Sequence, residues 1–149
     1  MKNGASRKIF VNLAVEDLDR SIKFFTQLGF RFDPRFSDEH GSGMIVSDEA
    51  YVMLLDKEFF KSFIKTDLAD PKVETEAILA LSAESREQVN ELVHKAFAAG
   101  GRPANDPIEM DFMYGWSFQD PDGHLWEVFY MDPSAMQEEA REKQGAMAS

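Results

Sequence analysis

Residues 117–132 read SFQDPDGHLWEVFYMD, two apolar runs on either side of Asp120-Pro121-Asp122-Gly123. Proline presets φ for a turn, aspartate side chains bond their own backbone, and glycine accepts φ > 0. The spacing predicts a hairpin. In the second run Leu125, Glu127 and Phe129 share one face, and His124, Trp126, Val128 and Tyr130 the other. Glu127 is thus an acid centred in an apolar strand, which costs free energy unless water, a cation or a hydrogen bond meets it. It reads as a ligand-contacting group, as a base, or as a carboxylate bonded to Asn12 or to water.

Working outward, residues 112–118 (FMYGWSF) supply the first strand of that hairpin. Tyr114 and Trp116 share a face, either as core or as a cup wall that grips a planar or cationic ligand. Before it lies a turn-rich stretch with Pro103 and Pro107. Earlier still, residues 77–81 (AILAL) read as a strand, and Ser85 with Gln88 as a capping box. Val89, Leu92, Val93, Ala96 and Phe97 mark a helix stripe ended by Gly100-Gly101.

The first half carries the same order. Residues 10–15 (FVNLAV) read as a strand, and Asp17 stands at a helix N-cap. Leu18, Ile22, Phe25 and Leu28 then repeat at helical spacing as far as Gly29. Phe30 and Phe32 suggest a short strand, followed by strands at 44–46 and 51–55. The unit β-α-β-β-β therefore occurs twice, with 66 residues between Leu13 and Leu79. One such unit exposes an apolar sheet face and must pair with another. The expected fold is α+β, two βαβββ modules forming a curved, cup-shaped mixed sheet with helices outside. The expected layout is one domain over 1–149: module one at about 8–56, an insert and linker at 57–73, module two at about 74–132 and a polar tail at 133–149. In the insert, Phe59, Phe60, Phe63 and Ile64 form an apolar stripe, either helix packing or a dimer contact. A cup is where a small molecule sits.

Composition narrows the partners. The 149 residues carry a net charge of −11 and no cysteine. Disulfides and thiolate metal sites are excluded, and the acidic balance argues against nucleic acid and anionic membrane surfaces. No run is apolar enough to predict a signal peptide or a membrane span. A soluble cytoplasmic protein is expected. His40 in a turn and His94 on a helix flank read as solvated, and His124 as facing away from the cup. No Ser/His/Asp arrangement, phosphate-cradling glycine loop or zinc spacing is present.

The stretch FVNLAVEDLDRSIKFFTQLGF (10–30), followed much later by QDPDGHLWEVF (119–129), resembles the vicinal-oxygen-chelate superfamily of glyoxalase I, bleomycin-resistance proteins and extradiol dioxygenases. The resemblance covers roughly residues 8–132 and looks most like the branch labelled predicted lactoylglutathione lyase. It implies paired βαβββ modules, usually a homodimer, and a divalent metal held by one residue from each of four strands. That metal stabilises an enediolate as a Lewis acid. In this sequence the four positions fall on Phe10, Met53, Ile78 and Glu127. Benzyl and aliphatic groups offer a hard cation no lone pair, a thioether suits soft copper, and one carboxylate does not make a site. Asn12 and Ser82 on the same strand faces would add only a weak oxygen cluster. The expected cofactor is therefore none, with no metal.

Two functions follow as expectations. One is a metal-free cup that binds or sequesters a small hydrophobic or cationic molecule through Phe10, Asn12, Met53, Ile78, Tyr114, Trp116 and Glu127. The other is a glyoxalase-like lyase or isomerase acting on an α-oxo or hemithioacetal compound, with Glu127 as the catalytic base.

Overall fold

The computed structural model describes residues 6–148. β1 (Ile9–Val15) alternates: Leu13 and Val15 enter the core with Val11 packed beside them, while Phe10, Asn12 and Ala14 take the opposite face. Asp17 caps α1 (Leu18–Gln27), its carboxylate accepting from the Arg20 N–H at 3.1 Å, which satisfies one donor that a helix start leaves orphaned. β2 (Arg31–Asp33), a 3₁₀ turn at Pro34–Phe36, β3 (Gly41–Ser47) and β4 (Ala50–Asp56) complete module one. Its sheet runs β1-β4-β3-β2, with β1 and β4 parallel and the other pairs antiparallel.

α2 (Lys57–Lys61) follows β4 at once, capped by Asp56, and residues 62–77 then run without helix or strand. Module two repeats the first: β5 (Ile78–Ser82), α3 (Arg86–Ala98), β6 (Arg102–Pro103), β7 (Ile108–Glu109), β8 (Met113–Gln119) and β9 (Leu125–Met131). Its order is β5-β9-β8-β6 with β7 also on β8, and β5 is parallel to β9. Ser85 caps α3 as the sequence requires, but Gln88 reaches back to the Glu84 N–H rather than to the cap residue itself. The tail is helical as α4 (Pro133–Ala148), and Ser149 lies outside the described residues.

The stretch read as turn-rich around Pro103 and Pro107 needs correction. Its two ends form β6 and β7, a broken edge strand against β8, and Asn105 donates its N–H to Ser117 Oγ at 2.8 Å across the break. A proline without an N–H to give is tolerated at such an edge. Two-residue ladders are too short to show as alternation.

One core joins the modules. Phe24 and Phe25 of α1 meet Phe118 and Trp126 of module two, with ring centroids 6.1 and 5.1 Å apart, and all four rings are buried. Burying each contributes about 2–3 kcal/mol. Above this core the DPDG turn forms a polar joint. Asp122 accepts from the Glu16 N–H at 2.8 Å, from Ser21 Oγ at 3.2 Å and from Arg20 at 3.3 Å. Asp120 accepts from Trp126 Nε1 and from the N–H groups of Asp122 and His124. Its burial pushes the carboxyl above the usual range, against the pull of His124 and the Trp126 bond. Gly123 takes φ +97° here, and a Cβ would lie 3.0 Å from Lys72 Cγ, so only glycine suits the turn. The two sheets share no ladder, and β1 and β5 each keep one edge without a strand partner among the described residues.

Candidate functional site

On the sheet faces turned away from the helices, the four carried-over positions fall in matching places. Phe10 pairs with Tyr51, two residues before Met53, and Ile78 pairs with Leu125, two residues before Glu127. The register is the same in both modules.

Module one fills this face with rings. Phe10 stacks on Tyr51 at 5.0 Å, and Phe36 stands edge-on to both at 5.3 and 5.4 Å. Gly43 leaves room for them: a Cβ there would sit 2.7 Å from Phe36 Cβ and 3.2 Å from Met53 Sδ. Beside the cluster, Arg35 bonds Asp33 at 2.7 Å and holds that carboxyl below its ordinary range.

Module two leaves the face sparse. Glu127 is half-buried between Ala80 and Ser117 in register, and its carboxylate has no hydrogen bond or ion pair among the described residues. Ser117 is already engaged by Asn105. The bond proposed from Asn12 is not made, because Asn12 Nδ2 donates to the Phe10 carbonyl at 3.2 Å. No group of three or more His, Asp or Glu suited to a metal exists among the described residues. Benzyl, thioether, sec-butyl and one carboxylate do not fit the divalent ion that the fold family implies.

Tyr114 and Trp116 correct the expected cup wall. They pair with Tyr130 and Val128, on the helix side of β8, while the β8 neighbour of Glu127 is Ser117. The Tyr114 hydroxyl donates to Asn90 Oδ1 at 2.6 Å under the Arg86 guanidinium, and Trp116 meets His94 and Phe97 edge-on. Their contacts are those of helix packing. His124 does face away from Glu127, and its Nε2 lies 2.8 Å from the Ala14 carbonyl on β1. His40 is not merely solvated. Its Nδ1 lies 2.9 Å from Asp56, which raises its pKa above the ordinary value, and its ring stacks on Phe59.

A groove of about 440 Å³ lies elsewhere, at the free edge of β1. Asn12 and Ala14 form one wall, Leu125 and His124 another, and Phe60, Ile64 and Leu68 close it from above. Among the described residues three acids line it, Asp67, Glu74 and Glu76, and no lysine or arginine does. Of the residues expected to bind a ligand, only Asn12 lies here. The groove's roof comes from the insert, whose aromatic stripe was the one signal of it in the sequence.

The model of the glyoxalase/bleomycin resistance protein/dioxygenase superfamily matches residues 9–128, and the chain belongs to that superfamily. A hypothetical protein of S. aureus has a similar structure at 27% identity and TM-score 0.72, over 85% of this chain and 95% of that one. A glyoxalase/bleomycin resistance protein/dioxygenase family enzyme from Burkholderia phytofirmans matches at 19% identity and TM-score 0.68, over 82% and 96%. The fosfomycin resistance protein FosX of Listeria monocytogenes matches at 17% and 0.62, over 91% and 98%. The last two likenesses show the fold alone. No curated protein matches the sequence. Among the described residues, no helix is long and apolar enough to cross a membrane.

Proposed function

We propose that this chain binds or sequesters a small, apolar, positively charged molecule without a metal. The observation that carries the reading is the groove: apolar walls, three acids and no cation among the lining residues. An apolar cavity of this size with a few polar groups suits a small organic guest, and unopposed carboxylates favour a cationic one. Phe10, Met53 and Ile78 at the family's ligand positions support the metal-free part of the reading. In this proposal the protein works in the cytoplasm as a homodimer, a second copy covering the exposed Ile78 and Phe63.

One observation favours a second reading. Glu127 presents an unbonded carboxylate on an open face, where it would serve as the base of a lyase or isomerase acting on an α-oxo or hemithioacetal compound.

The test is a thermal-shift and calorimetry series with hydrophobic cations and their neutral isosteres. A cation at a hundredfold over its Kd adds about 2.7 kcal/mol of stability. Glu74→Gln with Glu76→Gln should weaken the cation and spare the isostere. Equal binding of both, or none of either, overturns the proposal. Turnover of a hemithioacetal that is lost in Glu127→Gln establishes the lyase reading instead.

A further inference from the structure

A second cavity lies on the helix side of the molecule, where α1, the end of α3 and the DPDG turn meet. It holds about 590 Å³, ample for a small ligand. Its chemistry is opposite to that of the groove. Arg20 and Lys23 come from α1, Lys72 from the linker between modules, and Arg102 from β6. These four cations line one crevice in a protein whose net charge is −11. Lys23, Lys72 and Arg102 make no ion pair among the described residues. Among the described residues Asp120 is the single acid lining the cavity, and its oxygens already accept from Trp126 Nε1 and two backbone N–H groups. It is thus poorly placed to neutralise the cations. Asp122 engages one nitrogen of Arg20, at 3.3 Å.

Cations near the end of α3 also offset the negative pole of that helix. That role is an incomplete account. The chain closes the helix end itself, with Gly101 N–H on the Ala96 carbonyl at 2.8 Å and Gly100 N–H on Phe97. Lys23 and Lys72 belong to other elements altogether.

We propose that this crevice binds a small multivalent oxyanion of the phosphate class, held by Lys23 of α1, Lys72 of the linker and Arg102 of β6, with Arg20 beside them. Paired or clustered cations with free N–H donors recognise such groups through charge-assisted hydrogen bonds. The site draws its side chains from module one, module two and the connection between them. An anion seated there ties the three together. The Pro71-Lys72 segment and Gly123 form a wall common to this crevice and the groove. The proposal does not depend on what the groove holds.

Titration calorimetry of the full chain with pyrophosphate, at ionic strength held constant with sodium chloride, tests it. One site per chain is expected. Lys23→Gln with Arg102→Gln should weaken binding roughly tenfold or more, as loss of charged hydrogen bonds implies, and Lys23→Arg should retain it. Circular dichroism of each variant confirms folding, and Lys61→Gln, remote from the crevice, should bind like the wild type. A parallel arm with a sugar bisphosphate separates the sources: tighter binding of the ester points to an organic phosphate, tighter binding of pyrophosphate to an inorganic one. Absence of saturable binding in both arms overturns the proposal. So does equal affinity in wild type and double variant, which is plain screening, or a stability loss in that variant with no anion bound by the wild type.

Discussion

Asp122 and Glu127 are carboxylates five residues apart on one hairpin, and the molecule treats them in opposite ways. Asp122 is buried and accepts from a backbone N–H, a hydroxyl and a guanidinium, all from α1 or the residue before its cap. Glu127 is half-buried and accepts from nothing among the described residues. The sequence patterns that carry the family kinship, DLDRS near the start and DPDG near the end, prove to be two halves of the Asp122 joint. They hold the modules together. Membership of the family therefore follows from architecture, and the chemistry has to be read from positions the motifs do not cover.

The comparison is broken most severely at the joint. Asp122→Ala should cost about 3 kcal/mol in chemical denaturation, because it strands a buried hydroxyl and a backbone N–H at once. A loss below about 1 kcal/mol would mean that water replaces the carboxylate and that the joint is not a fixed point. Gly123→Ala tests the same joint through its backbone. At φ +97° and 3.0 Å from Lys72 Cγ, the added methyl should cost about 1–2 kcal/mol, read as a lowered Tm.

At the other pole, Glu127→Gln should change stability by no more than about 0.5 kcal/mol in either direction, since no protein partner is lost. Elemental analysis of the purified protein sharpens the point. The donor set predicts no stoichiometric divalent metal and little stabilisation by added Ni, Zn or Mg. Near one metal per chain, lost in Glu127→Gln, would reverse that reading.

The smallest effect is expected at the exposed His40–Asp56 pair. Asp56 raises the His40 pKa above 6.5. A group whose folded pKa is raised contributes stability that is fully present below its unfolded value and fades as pH rises through the folded one. The Asp56 carboxyl is lowered, first by the Phe59 N–H and then by His40, so its contribution is present above its ordinary value of 3.8 and fades in acid. Relative to His40→Asn, the wild type should thus lose stability as pH climbs from 6.5. A pH-independent difference between the two would show that the ring acts only by stacking on Phe59.

Much of the fold was legible because its signals are local. Asp17 and Ser85 cap the helices they were expected to cap, and the alternation of residues 125–130 sorts Trp126 and Glu127 onto opposite faces. The exceptions have physical causes. β6 and β7 are two residues each, too short for periodicity. Tyr114 and Trp116 gave alternation without telling which face would meet a helix, and α3 took it.

The sequence by itself determined the order of the long strands and helices, the caps, the DPDG hairpin and the side-chain chemistry of Phe10, Met53 and Ile78. These depend on backbone geometry within a few residues, or on side-chain chemistry alone. Tertiary structure decided that DLDRS and DPDG form one joint, that the insert roofs a groove against Asn12 and His124, and that Arg20, Lys23, Lys72 and Arg102 meet across a crevice. Several of those groups lie more than a hundred residues apart in the chain, as Glu16 and Asp122 do at 106. Packing of α1 onto Phe118 and Trp126 brings them together, and that encounter is written in no single stretch of sequence.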